Sequence, residues 1–182
     1  MRCRLRELEY GFLTSPGVFS YKRIDLGTRL LVESMVLPDE GRLLDVGCGY
    51  GVVGVVAARL RPGLRVFMTD VNERAVRLAK RNVERFGLVN AGVLAGDLYG
   101  PVEGEVFDVV VSNPPFSAGW QRVVEPLVAG AVEHLVVGGL FQVVVQSNTG
   151  GRALAGLLEE HFGGCEVLAR GSGYRVLLAR RS

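Results

Sequence analysis

A chain of 182 residues with 48% hydrophobic content, 22% charged content and 25 glycines describes one folded, loop-punctuated domain and excludes a disordered or low-complexity protein. The formal net charge of +2 permits a nucleic-acid partner without arguing for one, and every basic residue except Lys22 and Lys80 is an arginine. Three cysteines, Cys3, Cys48 and Cys165, have neither metal-ligand spacing nor a disulfide pattern, so a reducing compartment is expected and a metal is not.

The amino terminus alternates Arg2, Arg4 and Arg6 with apolar residues and lacks a hydrophobic signal region. No apolar run reaches membrane-spanning length, so the expectation is a cytoplasmic protein without a membrane partner. Residues 1–24 read as an appended hairpin, with Leu5 to Phe12 pairing with Val18 to Tyr21 across the Thr14-Ser15-Pro16-Gly17 turn. Asp25 can cap a helix running from Leu26 to Leu37, which Pro38 ends. Alternation follows: a strand over Arg42 to Val46, a helix over Gly51 to Leu60 and a strand over Arg65 to Thr69. Asn72 caps the next helix, where Val76, Ala79, Val83 and Phe86 fall three and four apart and Gly87 closes the run. Val93 to Ala95 and Phe107 to Val111 are strands, and Glu125 to Val137 a helix broken by Gly138-Gly139. Leu140 to Gln146 is a buried strand and Arg152 to Phe162 a helix. Cys165 to Ala169 and Tyr174 to Ala179 are joined by a connection too short for a helical crossover, so they pair antiparallel. The whole predicts an α/β domain over residues 1–182: a Rossmann-like, doubly wound, mostly parallel sheet ending in one antiparallel hairpin strand.

In such a sheet ligands bind beyond the carboxyl ends of the strands, and the polar residues of this chain gather there. Ser112-Asn113-Pro114-Pro115-Phe116 follows a buried strand. Two prolines supply no backbone donor and hold the chain extended, leaving a rigid, acceptor-rich corner. An Asn amide oxygen, a Pro carbonyl and an aromatic face suit a planar amino group, with two acceptors for its hydrogens and a ring to stack on. The same dipeptide also marks simple turns.

The first strand runs into Asp45-Val46-Gly47-Cys48-Gly49-Tyr50-Gly51 and opens a helix. Gly47 and Gly49 allow a tight turn and close approach to a ligand. A dinucleotide fingerprint needs a glycine three residues after the second, where this chain has Val52. Asp45 suits an ammonium better than a pyrophosphate, which favours a cofactor bearing an amino acid. Asp70 ends the second strand about twenty residues past the glycines, where a carboxylate accepts ribose hydroxyls, and Val71 beside it can cover an adenine. Asp97 follows the third strand, placed for an exocyclic adenine amine. Each carboxylate taken alone also reads as a cap or a solvated loop residue.

These motifs resemble those of the S-adenosylmethionine-dependent amino methyltransferases. Ser15-Pro16-Gly17-Val18-Phe19-Ser20, with Asp25 and Gly27-Thr28, narrows the resemblance to the small-domain methyltransferases: the catalytic half of the ribosomal RNA guanine-N2 enzymes and their stand-alone relatives. Gly173-Tyr174-Arg175-Val176 fits the same pattern, and the resemblance runs almost throughout from Phe12. It implies S-adenosylmethionine as cofactor, with Gly47, Cys48 and Gly49 lining the methionine end beside Asp45 and Val46, Asp70 at the ribose, Asp97 with Leu98 at the adenine, and Val71 over the adenine face. Phe19 and Ser20 would close the pocket. Asn113, which also borders the cofactor, Pro114, Pro115 and Phe116 would hold the target amine, and an RNA substrate is implied. The segment Gln146 to Arg152 departs from the pattern, since stand-alone relatives tend to carry lysine there.

A protein-glutamine methyltransferase presents the same amide geometry to its target, although that family typically has Tyr where Phe116 stands. A nicotinamide oxidoreductase is opposed by Val52, and a non-catalytic RNA-binding module by the intact glycine loop and central motif. His134 and His161 read as satisfied or surface side chains, and Cys48 as a small turn residue. Trp120 reads equally as a base-stacking or a packing residue. Arg74, Arg77, Arg81 and Arg85 read as a solvated helix face. The sequence leaves monomer and homodimer both open.

Overall fold

A computed structural model describes residues 1–182. Its framework is a seven-stranded sheet built from β3 (Glu40–Val46), β4 (Gly63–Asp70), β5 (Ala91–Ala95), β6 (Phe107–Ser112), β7 (Leu135–Gln146), β8 (Glu166–Gly171) and β9 (Tyr174–Arg180). The spatial order is β5-β4-β3-β6-β7-β9-β8. All pairings are parallel except those of β9, which runs antiparallel between β7 and β8. The hairpin β8–β9 turns through Ser172 and Gly173, both in the left-handed region at φ 51° and 81°, the twist that a two-residue hairpin loop requires.

Successive strand residues point to opposite faces, and the core divides accordingly. Leu43, Val66, Met68, Val109, Val111 and Val144 join one apolar cluster. It is completed by α1 (Leu26–Ser34), α2 (Val52–Leu60) and α3 (Glu73–Arg85). Leu44, Val46, Val110, Phe141 and Val143 join the other, covered by α4 (Glu125–His134) and α5 (Gly151–Phe162). From β3 the chain winds outward through β4 to β5, then returns to place β6 on the other side of β3. The direction of winding reverses between β3 and β6, which is where such a sheet opens a crevice.

Three sequence expectations are corrected. The amino-terminal hairpin is β1 (Arg2–Leu5) with β2 (Leu8–Gly11), and Leu5 to Phe12 does not pair with Val18 to Tyr21. The turn falls on Arg6 and Glu7, both non-glycine residues at positive φ of 48° and 65°. Residues 12–25 form no strand and cross the molecule as a strap of turns and bends. Helix α1 stops at Ser34 instead of Leu37, with the Met35 N–H donating to the Leu31 carbonyl at 2.8 Å. Helix α4 stops at His134, because Leu135 already pairs with Phe107 in β7. Gly138-Gly139 therefore lies inside a long strand, at a register shift between Leu135 and Leu140, and does not break a helix.

The strap is fastened by α3. Buried Asn82 accepts from the Leu13 N–H at 2.7 Å and donates to the carbonyls of Leu13 and Tyr50 at 3.0 and 2.8 Å. Arg85 donates to Gly11 and Arg74 to Pro16, at 2.7 and 2.8 Å. Two of the four arginines expected to be merely solvated thus make such contacts, Arg74 to the strap and Arg85 to the end of β2 that leads into it, and the strap delivers Val18, Phe19 and Ser20 to the crevice.

Candidate active site

A cavity of about 680 Å³ opens at the carboxyl ends of β3, β4 and β6. Every site residue expected from the sequence lines it: Phe19, Ser20, Asp45 to Gly49, Asp70, Val71, Asp97, Leu98 and Asn113 to Phe116.

The floor is the turn after β3. Gly47 and Cys48 both donate from their backbone N–H groups to the Thr69 carbonyl, at 2.8 and 3.0 Å, which binds the turn to the end of β4. Gly47 and Gly49 have φ of 73° and 57°, and a Cβ on either would project into open space with no atom within 4 Å. These two positions form a cradle that a ligand, not protein, can fill. Asp70 closes one side: Oδ2 accepts from the Gly49 N–H and Oδ1 from the Asn72 N–H, each at 2.8 Å. Each oxygen retains a second lone pair for a ligand hydroxyl. Burial raises the Asp70 carboxyl above its usual range, opposed by those two N–H groups.

Asp45 is only 1% exposed. Its Oδ2 accepts from the Gly54 N–H at 3.0 Å, tying the first turn of α2 to β3, while Oδ1 meets no protein donor on the cavity wall. Burial pushes its carboxyl up to about 7, with the Gly54 N–H lowering it and nearby Asp70 raising it. Cys48 is buried, and its thiol is driven well above the ordinary range by that burial and by the carboxylates of Asp45 and Asp70, which leaves it no thiolate character.

Phe19 and Val71 are 67% and 70% exposed, large apolar side chains at the rim of a cavity. Asp97 is exposed, and Leu98 has a positive φ of 45°. The Leu98 carbonyl accepts from Thr69 Oγ1 at 3.0 Å, which holds that loop over the end of β4.

The opposite wall is the corner after β6, where Ser112 Oγ donates to the Val46 carbonyl at 2.8 Å and joins the two strand ends. Pro114 is buried, Pro115 exposed, and Asn113 and Phe116 half-buried. The Pro114 carbonyl accepts from the Phe116 N–H at 3.0 Å in a tight turn centred on Pro115, so one of its two lone pairs is used locally. Asn113 Nδ2 donates to Asp25 Oδ2 at 3.0 Å and to Thr28 Oγ1 at 2.8 Å, and its Oδ1 meets no protein donor. The Phe116 ring lies 6.5 Å from that of Trp120. Trp120 begins a π-helical turn ending at Val124, and it packs partly buried against the core beneath α4 and α5.

Several wall residues carried no strong sequence signal as site residues. Thr28, Arg122, Gln146 and Tyr174 all line the cavity. Asp25 and Thr28 belonged to the motif of the resemblance, but their contact with Asn113 spans 88 and 85 residues. Burial and the adjacent Asp25 carboxylate raise the Tyr174 phenol above its usual range. His134 is satisfied, with Nδ1 2.8 Å from the Gly130 carbonyl and its ring stacked on Tyr99. His161 is exposed on α5, and no helix is long and apolar enough to cross a membrane.

An unfilled glycine cradle, an undonated carboxylate oxygen for an ammonium and a strand-end carboxylate for hydroxyls together fit S-adenosylmethionine. Comparison with known proteins points the same way. YbxB of Bacillus subtilis, an uncharacterized protein, is 37% identical over 98% of this chain and 89% of its own length. Ribosomal RNA small subunit methyltransferase C of Aeromonas hydrophila is 36% identical over 98% of this chain and 52% of its own. Among solved structures, the T. thermophilus 16S rRNA N2 G1207 methyltransferase, in complex with AdoMet and guanosine, superposes with a TM-score of 0.88 at 30% identity. That match takes in 100% of this chain and 50% of the other, so the chain spans about half the length of these ribosomal RNA methyltransferases. The methyltransferase small domain matches residues 9–178, and the chain belongs to that family, whose members use S-adenosylmethionine.

Proposed function

We propose that the protein methylates an exocyclic amino group of a nucleic-acid base, guanine N2 in ribosomal or other structured RNA. The observation that carries this reading is the Asn113 amide, whose NH2 is engaged behind the wall while its Oδ1 stays free at the cavity. Bound in the cavity, S-adenosylmethionine supplies an electrophilic methyl group. Asp45 and the Gly47–Gly49 turn would hold its amino-acid end, Asp70 its ribose, Asp97 and Leu98 its adenine, with Phe19, Ser20 and Val71 as cover.

An exocyclic amine is a weak nucleophile because its lone pair is delocalised into the ring. Asn113 Oδ1 and the remaining lone pair of the Pro114 carbonyl accept its two hydrogens and favour the pyramidal nitrogen, whose lone pair is then localised. These contacts are fixed before reaction, so no reorganisation is spent at the barrier. Phe116 stacks the extruded base and sets its plane. No protein base is needed, since the methylated amine loses its extra proton readily to water.

Support for RNA comes from the ribosomal RNA methyltransferases named above and from Arg122 at the cavity mouth, a cation placed for a phosphate. The test is transfer of labelled methyl from S-adenosylmethionine to ribosomal RNA, to small ribosomal subunits and to total protein in parallel, followed by nucleoside analysis. N2-methylguanosine is the expected product. Label confined to protein glutamine would replace this reading with the amide-methylating one.

A further inference from the structure

The Asn113 amide is held from behind. Its Nδ2 is shared between Asp25 Oδ2 at 3.0 Å and Thr28 Oγ1 at 2.8 Å. The same Asp25 oxygen accepts from the Thr28 N–H at 2.9 Å, so one carboxylate both caps α1 and grips a side chain beyond β6. A carboxamide has two orientations of almost equal shape and opposite polarity. Flipped, Asn113 would set its oxygen against the Asp25 carboxylate and turn its NH2 into the cavity. The Thr28 hydroxyl can turn to meet either orientation, but the amide oxygen and the carboxylate would repel as two acceptors at that distance, and the contact to Asp25 would be lost.

We propose that Asp25 is the positioning residue that locks the Asn113 amide in one flip state, with the Thr28 hydroxyl as a second partner, so that the site offers an acceptor and never a donor to its target. The consequence is a restriction of substrate class, resting on the amino-methyltransferase reading. With the Pro114 carbonyl alongside, the wall accepts two hydrogens. It therefore admits a target that carries them, an amino group, and rejects bare ring nitrogens and carbonyl oxygens, which need a donor.

Two substitutions separate this role from helix capping. Serine caps a helix as well as aspartate does, but its shorter side chain gives up the reach to Asn113, so Asp25→Ser keeps α1 and frees the amide. Thr28→Val removes the hydroxyl at constant shape. Asp25→Ser should lower kcat by about tenfold or more and Thr28→Val by less, with the KM for RNA and the affinity for S-adenosylmethionine held within about twofold. In an Asn113→Ala background the same changes should cost nothing further, because their effect passes through that amide. Equal losses in the parent and Asn113→Ala backgrounds would overturn the lock.

A readout independent of turnover keeps the two proposals apart. The side-chain amide protons of Asn113, identified by their disappearance in Asn113→Ala, should exchange with water faster in Asp25→Ser than in the parent. Unchanged exchange overturns the lock even in an active enzyme. A parent that methylates no RNA while exchange responds as expected overturns the functional reading and leaves the lock standing.

Discussion

The backbone N–H of Gly49 donates to Asp70 Oδ2 at 2.8 Å, so the glycine turn after β3 and the carboxylate ending β4 are one unit. Substituting Asp70 removes a contact to the ribose and also releases the turn that would carry the methionine end. Asp70→Ala should weaken S-adenosylmethionine binding by roughly 2–4 kcal/mol, the range for lost charge-assisted hydrogen bonds. Asp70→Asn, which keeps an acceptor, should lose less. Calorimetric titration of folded variants measures both, and an unchanged affinity in Asp70→Ala would remove this residue from the site.

The parts of this site legible in the sequence are those written locally. Phe107 to Val111 reads as a strand because its residues are apolar and β-branched, and the motif behind it then falls at a strand end. Asp45, Asp70 and Asp97 are found by the same logic, each at or just past the carboxyl end of a strand. The amino terminus is not legible in this way because its turn, Arg6-Glu7, contains no turn-forming residue, whereas Thr14 to Gly17 has turn composition and joins no strands. Gly138-Gly139 looks like a helix stop, yet it serves a register shift inside β7 that only the pairing with β6 makes necessary. The grip of Asp25 and Thr28 on Asn113 and the clasp of α3 on the strap join residues tens of positions apart. Those contacts are products of topology and leave no periodic trace.

Asp45 makes the protein pH-sensitive in two ways. Burial raises its carboxyl from 3.8 to about 7 in the folded state. Between those values the folded protein holds a proton that the unfolded chain has released, so this group's contribution to stability is largest at low pH and is lost as pH rises toward about 7. Cofactor binding runs the opposite way, because an ammonium needs the ionised carboxylate. Affinity for S-adenosylmethionine should rise about tenfold from pH 6 to pH 8, less whatever is lost as the ligand's own amino group deprotonates near the top of that range. Asp45→Asn, which still accepts from the Gly54 N–H, should bind more weakly and with a flatter profile. A parent profile that is flat from pH 6 to 8 would remove the ammonium contact from Asp45.

Two glycines nearby should separate fold from function. At Gly54 a Cβ would meet the Met68 Sδ at 2.4 Å and Cγ at 2.5 Å, and Met68 is fully buried. Gly54→Ala should therefore cost about 1–3 kcal/mol of stability through overpacking, read from urea unfolding. At Gly47 a Cβ would meet nothing, and the backbone strain of an alanine at positive φ costs about 1–2 kcal/mol. The methyl group there would occupy the cradle, so Gly47→Ala should lose cofactor affinity by more than its stability loss explains. Tight cofactor binding by Gly47→Ala would show that the turn does not border the ligand.

At the corner after β6, binding and chemistry should come apart. Asn113 Oδ1 faces no protein donor, so its partner is supplied by the substrate, and that hydrogen bond strengthens as the amine nitrogen becomes pyramidal. An interaction stronger in the transition state than in the ground state lowers turnover when removed, with little effect on affinity. Asn113→Ala should thus slow single-turnover methyl transfer on the order of a hundredfold, as loss of one preorganised polar contact does, while RNA affinity stays close to that of the parent. Phe116 acts earlier. Its half-buried ring is packed beside Trp120 and presents a surface to an extruded base, and base stacking on an aromatic ring contributes about 1–3 kcal/mol. Phe116→Ala should then lower both RNA affinity and rate, and Phe116→Tyr should retain most of each. Single-turnover kinetics at saturating S-adenosylmethionine, with RNA titrated through its dissociation constant, resolve the two effects. If Asn113→Ala transfers methyl groups at the parental rate, the free amide oxygen is not the group that holds the reacting amine, and the two prolines only stiffen a loop.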